Sequence, residues 1–265
     1  MSIKFEDYAN KYKHVKLDRR NGILQVTLHT GGKDLVWGAE PHDELSFLFG
    51  EIARDPENRV IILTGTGETF AANPAPSHGG KKLASADWEH GLATGKHLLM
   101  NHLAIEAPMI AAVNGPALRH AELAVLCDIV LASETACFQD SGHFVNGVVP
   151  GDGVHVVWPL VLGPNRGRYF LFTGQTISAQ EALALGVVGE VLPRERLLPR
   201  AWELAEQIAA QPRLTTRYTR VLVTQTLRRM MNDNLGYGLA LEGLGFGDHF
   251  PDYGPDFDTL SRSGR

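Results

Sequence analysis

With 265 residues, 44% hydrophobic and 21% charged, the chain has ordinary globular composition, long for one core and short for two full domains. A net charge of −5 and the lack of any basic block exclude the electrostatic footprint of a nucleic-acid or anionic-membrane binder. Two cysteines exclude a disulfide framework, no apolar run opens the chain, and no stretch approaches the roughly 20 apolar residues of a membrane span, so a cytoplasmic location with Cys127 and Cys137 as buried thiols is expected.

The elements follow in chain order. Gly22–Thr30 alternates as a strand, and Val60–Gly67, VIILTGTG, is a continuous apolar run ending in glycines, as a strand covered on both faces reads. Met109–Gly115, Asp128–Ser133 and Val187–Leu192 are further strands. Helices are expected over Pro41–Arg54, Trp88–Ile105, Ala117–Leu126 and Ser178–Leu185, the last opened by a capping box and closed by Gly186. Strand and helix alternate, which argues an α/β architecture with parallel pairing. After Leu192 the pattern becomes helical only: Arg194–Ala210, Pro212–Met231 and Asn232–Gly247. The expected organisation is a core over 1–193, a C-terminal helical region over 194–250 and a polar tail over 251–265. The loop Pro74–Lys82 carries His78, read as an exposed histidine.

Gly142–Pro159, GHFVNGVVPGDGVHVVWP, fits neither a long helix nor a long strand, yet places His143, Asp152 and His155 in apolar surroundings. Buried titratable groups are costly unless paired. By residue chemistry alone, a histidine nine residues from an aspartate is either a packed polar pair or an acid–base pair. His120 is then either a capping or core histidine or a functional one, Trp37 core or donor, and Glu242 a solvated helix position or a site group. His155 reads as structural. No second ligand motif supports a metal at His143, Asp152 and His155, and Gly65-Thr66-Gly67 lacks the third glycine of a dinucleotide fingerprint.

VIILTGTGETFAAN, APMIAAVNGPAL, ELAVLCDIVLASETACFQD, GVVPGDG and RYFLFTGQTISAQEALALGVVGEVL occur here in one order. This order resembles the crotonase (enoyl-CoA hydratase/isomerase) superfamily over residues 15–230. The resemblance implies a crotonase-like ββα spiral with a C-terminal helical trimerisation region. Two departures bear on function. The superfamily binds a thioester enolate with backbone N–H groups from an F-x-A-G-A-D loop and an N-G-x-x-x-G-G-G run. Here the first reads Phe70-Ala71-Ala72-Asn73-Pro74-Ala75-Pro76, with two prolines that lack donors. The second reads Asn114-Gly115-Pro116-Ala117-Leu118-Arg119-His120-Ala121, with His120 in place of the middle glycine.

VVPGDGVHVVWP, LGPNRGRYFLFTG and DLVWGAEPHDEL are similar to the cyclic β-diketone hydrolases typified by 6-oxocamphor hydrolase. That resemblance implies His143 and Asp152 as the catalytic pair, His120 as a second active-site histidine, Trp37 as a donor to substrate, and Glu242 as a supporting acid. Between His120 and Asp128 the chain is one residue shorter than the camphor enzyme, which shifts the helix after His120. The implied reaction is a retro-Claisen hydrolysis to a keto acid, with no cofactor and no metal. His143 suits the base because imidazole titrates near neutrality, Asp152 suits its orienting carboxylate, and Trp37 and His120 would replace the lost backbone donors. The implied partners are a small cyclic diketone and further copies of the chain, as a homotrimer or dimer of trimers, with neither nucleic acid nor membrane. Two rival readings stand beside it: a CoA-thioester hydratase or hydrolase, and a non-catalytic oligomer of the same fold.

Overall fold

The computed structural model describes residues 3–74 and 85–248. The expected tail over 251–265 and His78 in the Pro74–Lys82 loop lie outside the described residues. Strands β1 (Val15–Arg20) and β2 (Ile23–Leu28) form a hairpin, followed by β3 (Val36–Trp37), α1 (Ala39–Arg54), β4 (Val60–Gly65), β5 (Asn73–Pro74), α2 (Ser85–Ala104), β6 (Met109–Val113), α3 (Glu122–Val125), β7 (Ile129–Ser133) and β8 (Cys137–Phe138). Then come α4 (Val154–Leu162), α5 (Pro164–Thr173), β9 (Ile177–Ser178), α6 (Ala179–Ala184), β10 (Glu190–Leu192), α7 (Arg194–Ala209), α8 (Arg213–Val223) and α9 (Gln225–Phe246).

Six strands make the main sheet, in the order β1-β2-β4-β6-β7-β10. Only β1–β2 is antiparallel; Asn21 and Gly22 both take positive φ, as a tight hairpin turn requires. The remaining pairs are parallel, as the continuous apolar strands predict. Alternate residues of these strands bury opposite faces. Leu24, Val26, Ile61, Leu63 and Ala111 face the large core shared with α1 and α2, while Ile23, Val60, Ile62 and Ile110 meet Leu197, Ala201 and Ala205 of α7. The expected capping box of α6 is present: Ser178 Oγ accepts from Glu181 N at 3.2 Å, and Ser178 N donates to Glu181 Oε2 at 2.9 Å.

Four expectations need correction. The helix expected over Ala117–Leu126 shrinks to Glu122–Val125 because Ala117, Leu118 and Arg119 spend their N–H groups on Cys137 and Ala71 carbonyls in neighbouring strands. Gly142–Pro159 ends in a real helix, α4, which Gly153 starts from φ +108 and which tolerates Pro159 inside. The break among the C-terminal helices falls at Thr224, not after Met231, since Met231–Asn234 carries no Gly or Pro to stop a helix. The last strand starts at Glu190 because Val187 and Val188 donate to Ala182 O at the end of α6. Both cysteines are free, Cys127 buried and Cys137 partly so. Among the described residues, no helix is long and apolar enough to cross a membrane.

The C-terminal helices are tied to the core by polar anchors as well as by packing. Arg220 of α8 is 2% exposed; its Nε donates to Ile105 O at 2.7 Å, and its guanidinium pairs with Asp128, which also accepts from Met109 N at 2.7 Å. Trp88 of α2 donates to Leu239 O of α9 at 3.0 Å. Arg220→Met removes the cation from Asp128, leaving it the Met109 N–H, and the side-chain donor from the Ile105 carbonyl. We expect urea unfolding to show a loss of about 2–3 kcal/mol, below the full figure for a buried pair because Asp128 keeps some solvent; a loss under about 0.5 kcal/mol would show that the anchor does not hold α8.

Candidate active site

Two chain segments carry the histidines and run side by side. Ala117 N donates to Cys137 O at 2.8 Å, Gln139 N to Ala117 O at 3.2 Å and Ser141 N to Leu118 O at 3.0 Å. This lacing sets His120, just after the first segment, beside His143, just after the second. His120 takes φ +46, a left-handed conformation that is rare for a residue with a Cβ. The chain thereby turns sharply into α3, and Glu122 at the head of that helix reaches back to it. Trp37 is placed by the pairing of β3 with β5, Trp37 opposite Pro74. Its ring lies on that of His120, centroids 4.3 Å apart, and His42 from the first turn of α1 meets the His120 ring edge-on at 5.5 Å.

Asp152 sits between Gly151 and Gly153, at the entry to α4. Gly151 lies so close to α9 that a Cβ on it would stand 2.2 Å from Gly238 O. Glu242, one turn beyond Gly238, is thereby brought to the same cluster. The distances define the site. His143 Nδ1 lies 2.6 Å from Asp140 Oδ1, and its Nε2 lies 3.2 Å from Asp152 Oδ2 and 3.9 Å from Glu242 Oε1. His120 Nδ1 lies 2.6 Å from Glu122 Oε1 and 3.6 Å from that same Asp152 Oδ2. One carboxylate oxygen therefore lies between two imidazoles.

The electrostatics follow from burial and pairing. Burial works against a charged His143, but the charges of Asp152 and Asp140 and the hydrogen bonds to both outweigh it and raise its pKa well above 6.5. Burial likewise opposes charge on His120, and the Glu122 carboxylate, with Asp152 behind it, more than offsets this and raises its pKa. For Asp152 the desolvation cost is outweighed by His143 and His120, so its pKa falls. Glu242 is the reverse case. Desolvation, with Asp152 and Asp140 nearby, raises its pKa well above 4.5 despite His143, favouring the neutral acid. Burial and the charge of His120 hold His42 neutral, its pKa pushed far down. Burial raises the pKa of Glu122 as well, against the pull of the His120 ring beside it. Asp140 Oδ2, Asp152 Oδ1 and Glu242 Oε2 are buried and find no partner among the described residues.

All five residues singled out from the sequence, Trp37, His120, His143, Asp152 and Glu242, fall in this cluster. The orienting partner differs from expectation. Asp140 takes the Nδ1 side of His143, while Asp152 stands at Nε2, the end a base presents to water. His155 lies outside the hydrogen-bonded set, its ring packed where a Cβ on Gly238 would be. Three residues escaped the sequence reading: Asp140, Glu122 and His42. Asp140 and Glu122 sit three and two residues from their histidines, spacings with no periodic signal outside a helix, and His42 hides in the polar opening of an amphipathic helix.

His120, Glu122 and Asp152 place ligand-type atoms within 4.8 Å of one another, as do His14, Glu40 and Glu44. In the first group His120 Nδ1 and Glu122 Oε1 stand at hydrogen-bond distance, 2.6 Å, closer than the about 3.4 Å that separates two ligands of one tetrahedral zinc. In the second, Lys13 Nζ already neutralises Glu40 at 2.7 Å.

The sequence profile of the enoyl-CoA hydratase/isomerase family matches residues 18–244. A short-chain enoyl-CoA hydratase of Clostridium acetobutylicum is 29% identical over 238 residues, 89% of each chain, and a carnitinyl-CoA dehydratase of Shigella flexneri is 32% identical over 197 residues, 72% of this chain and 73% of the other. Among solved structures, a β-diketone hydrolase from the cyanobacterium Anabaena, bound to (S)-3-oxocyclohexyl acetic acid, is 48% identical with a TM-score of 0.86, covering 91% of this chain and 97% of its own. An enoyl-CoA hydratase/isomerase from Mycobacterium paratuberculosis, 24% identical, shares the fold with a TM-score of 0.79 over 96% of this chain and 99% of its own. The chain belongs to the enoyl-CoA hydratase/isomerase family, and its fold is that of the crotonase superfamily.

Proposed function

We propose that this protein is a cofactor-independent hydrolase that cleaves the C–C bond of a cyclic β-diketone to give a keto acid. The observation that carries the reading is the single oxygen, Asp152 Oδ2, that lies 3.2 Å from His143 Nε2 and 3.6 Å from His120 Nδ1. It joins a base and an electrophile into one site, as a reaction with two carbonyls requires. The kinship to the Anabaena β-diketone hydrolase supports it. The molecule bound there is a cyclohexanone with an acetic acid arm. Joining its carboxyl carbon to the α-carbon across the ring gives a bicyclic 1,3-diketone, and a compact apolar diketone of that kind is the substrate class proposed here.

Water adds to one carbonyl while its proton passes to the His143–Asp152 pair. Asp140 at Nδ1 holds the ring and favours the imidazolium that results. The bond from the hydrated carbonyl to the carbon between the two carbonyls then breaks. Its electron pair moves onto the second carbonyl as an enolate, which the Trp37 indole N–H and His120 stabilise. One such donor is worth about 3 kcal/mol of barrier. The proton returns to the enolate carbon, and the keto acid is complete. Glu242, 3.9 Å from His143 Nε2, holds the water, for which the unpartnered oxygens of Asp152 and Glu242 are ready acceptors.

The CoA-thioester reading is disfavoured by the backbone around His120. Leu118 and Arg119 N–H groups donate to Ala71 O, those of Phe70 and Ala71 to Pro116 O, and a side chain stands at His120, where the family's run has its middle glycine. With bicyclo[2.2.2]octane-2,6-dione as substrate, the wild-type protein is expected to yield the keto acid, His143→Ala to be at least about a hundredfold slower, and crotonyl-CoA to remain unhydrated. Hydration of crotonyl-CoA with no diketone turnover would replace this reading by the rival one. The pH dependence adds a second test. Because the folded pKa of His143 is raised, kcat/KM should climb with pH through a limb above 6.5. Asp140→Asn removes one of the carboxylates responsible, so the limb should move about one unit lower while the plateau falls; a limb that stays in place would rule His143 out as the titrating base.

A further inference from the structure

Among the described residues Glu122 is as buried as any charged one, 1% exposed, yet the hydrolytic scheme above gives it no task. Its position is specific. It opens α3, and the chain reaches it through His120 held at φ +46, a conformation strained for a residue with a side chain. Strain of this kind persists where surrounding structure enforces it. Here the enforcing contacts are the backbone bonds of residues 117–119 on one side and the Glu122 carboxylate on the other.

A separation of 2.6 Å between His120 Nδ1 and Glu122 Oε1 requires a proton between them, because two lone pairs would repel. The pair can therefore hold one proton or two. With one, Nδ1–H donates to Glu122 and Nε2 is a bare acceptor, useless toward a carbonyl oxygen. With two, Nε2 carries a proton and becomes a donor. The choice is set by the charged groups around the ring. Glu122 faces it from α3 and Asp152 from the loop before α4, both favouring the second proton. His143, with Asp140 behind it, opposes from the facing loop. Neutral His42 from α1 meets the ring edge-on, and Glu242 on α9 stands beyond His143. The Trp37 face stacked at 4.3 Å adds a π surface that favours a charged ring.

We propose that Glu122 is the positioning residue for the electrophilic half of the site: its carboxylate grips His120 by Nδ1, keeps the ring doubly protonated, and leaves Nε2–H as the donor to the carbonyl that becomes the enolate. The assignment of that carbonyl rests on the diketone reading; the grip and the protonation state do not. A side chain at a position where the family's run has glycine is thus held in place from two residues away.

The test is histidine-selective 15N NMR, with the His120 signals assigned by their loss in His120→Asn. In the wild-type protein at pH 7 both His120 nitrogens should be protonated, with a downfield Nδ1 proton. In Glu122→Gln, of unchanged melting temperature, His120 should titrate about 1–3 pH units lower. On the diketone, that variant should lose about thirtyfold in kcat at pH 7.5 with KM changed less than about threefold, and Glu122→Asp should recover part of the loss. A buried glutamate of merely structural value would lower stability and leave the His120 titration where it was. A wild-type ring that is singly protonated at pH 7 overturns the proposal even if no variant folds. An unshifted titration in Glu122→Gln overturns it as well. If the titration shifts and no diketone is turned over by any form, the role of Glu122 stands and the diketone reading falls.

Discussion

Two glycines touching backbone to backbone set the geometry on which the site depends. A Cβ on Gly151 would lie 2.2 Å from Gly238 O, and one on Gly238 would lie 2.2 Å from Gly151 O. No side chain fits at either place, so α9 rests directly on the loop that carries Asp152. Glu242, four residues along α9 from Gly238, consequently comes within 3.9 Å of His143. The same contact explains His155. Its ring fills the space beside Gly238, 2.3 Å from where a Cβ would be, and it packs the joint rather than entering the cluster. Trp88 on Leu239 ties α9 to α2, and Arg220 on Asp128 ties the preceding helix, α8, to the core. Stability and site geometry are therefore one problem here.

Within that frame the charges are arranged by unequal burial costs. Each buried ion loses several kcal/mol of hydration and is retained only where partners restore it. Asp152 has two imidazoles and stays ionised, whereas Glu242 has one imidazole at 3.9 Å and two carboxylates nearby, and it favours the neutral acid. Carboxylates in one cluster thus end in opposite states, the pattern by which a site can hold both a base and an acid at one pH. The two histidines diverge from His42 in the same way. His120 and His143 each have a carboxylate at 2.6 Å, while His42 has aromatic neighbours and a charged ring beside it, so it stays neutral.

Much of this was legible in the sequence, and what was not has a common physical cause. The apolar runs at Val60, Met109 and Ile129 announce parallel strands buried on both faces, and Ser178 with Glu181 announces α6. His120, His143, Asp152, Trp37 and Glu242 were reachable through their motif order. Asp140 and Glu122 were not, because each acts through a short turn: a backbone bend, not a repeat, brings it to its histidine. The same blindness lengthened the helix at Ala117. Leu118 and Arg119 are good helix formers, and only their bonds to Ala71, far away in sequence, hold them out of a helix. The helix over Val154–Leu162 was obscured by Gly153 and Pro159, residues that end most helices but here start one and sit inside it.

Under the proposed function, histidine at position 120, where the family's run has a glycine, lets the same scaffold address a different electrophile. A glycine donates from its backbone and gives the left-handed turn without strain. Histidine in the same conformation accepts strain, keeps the backbone N–H and adds a longer side-chain donor. The gain is real only if the ring is fixed and protonated, and both demands fall on neighbours: Trp37 beneath it, Asp152 beside it, Glu122 behind it. Residues that would be silent around a glycine thereby become part of the chemistry. A single substitution toward histidine in a relative with glycines would supply the imidazole without its supports, leaving a strained and uncharged ring. On the proposed reading the carboxylates and the histidine must be present together, which makes the cluster, rather than any one residue in it, the unit of function.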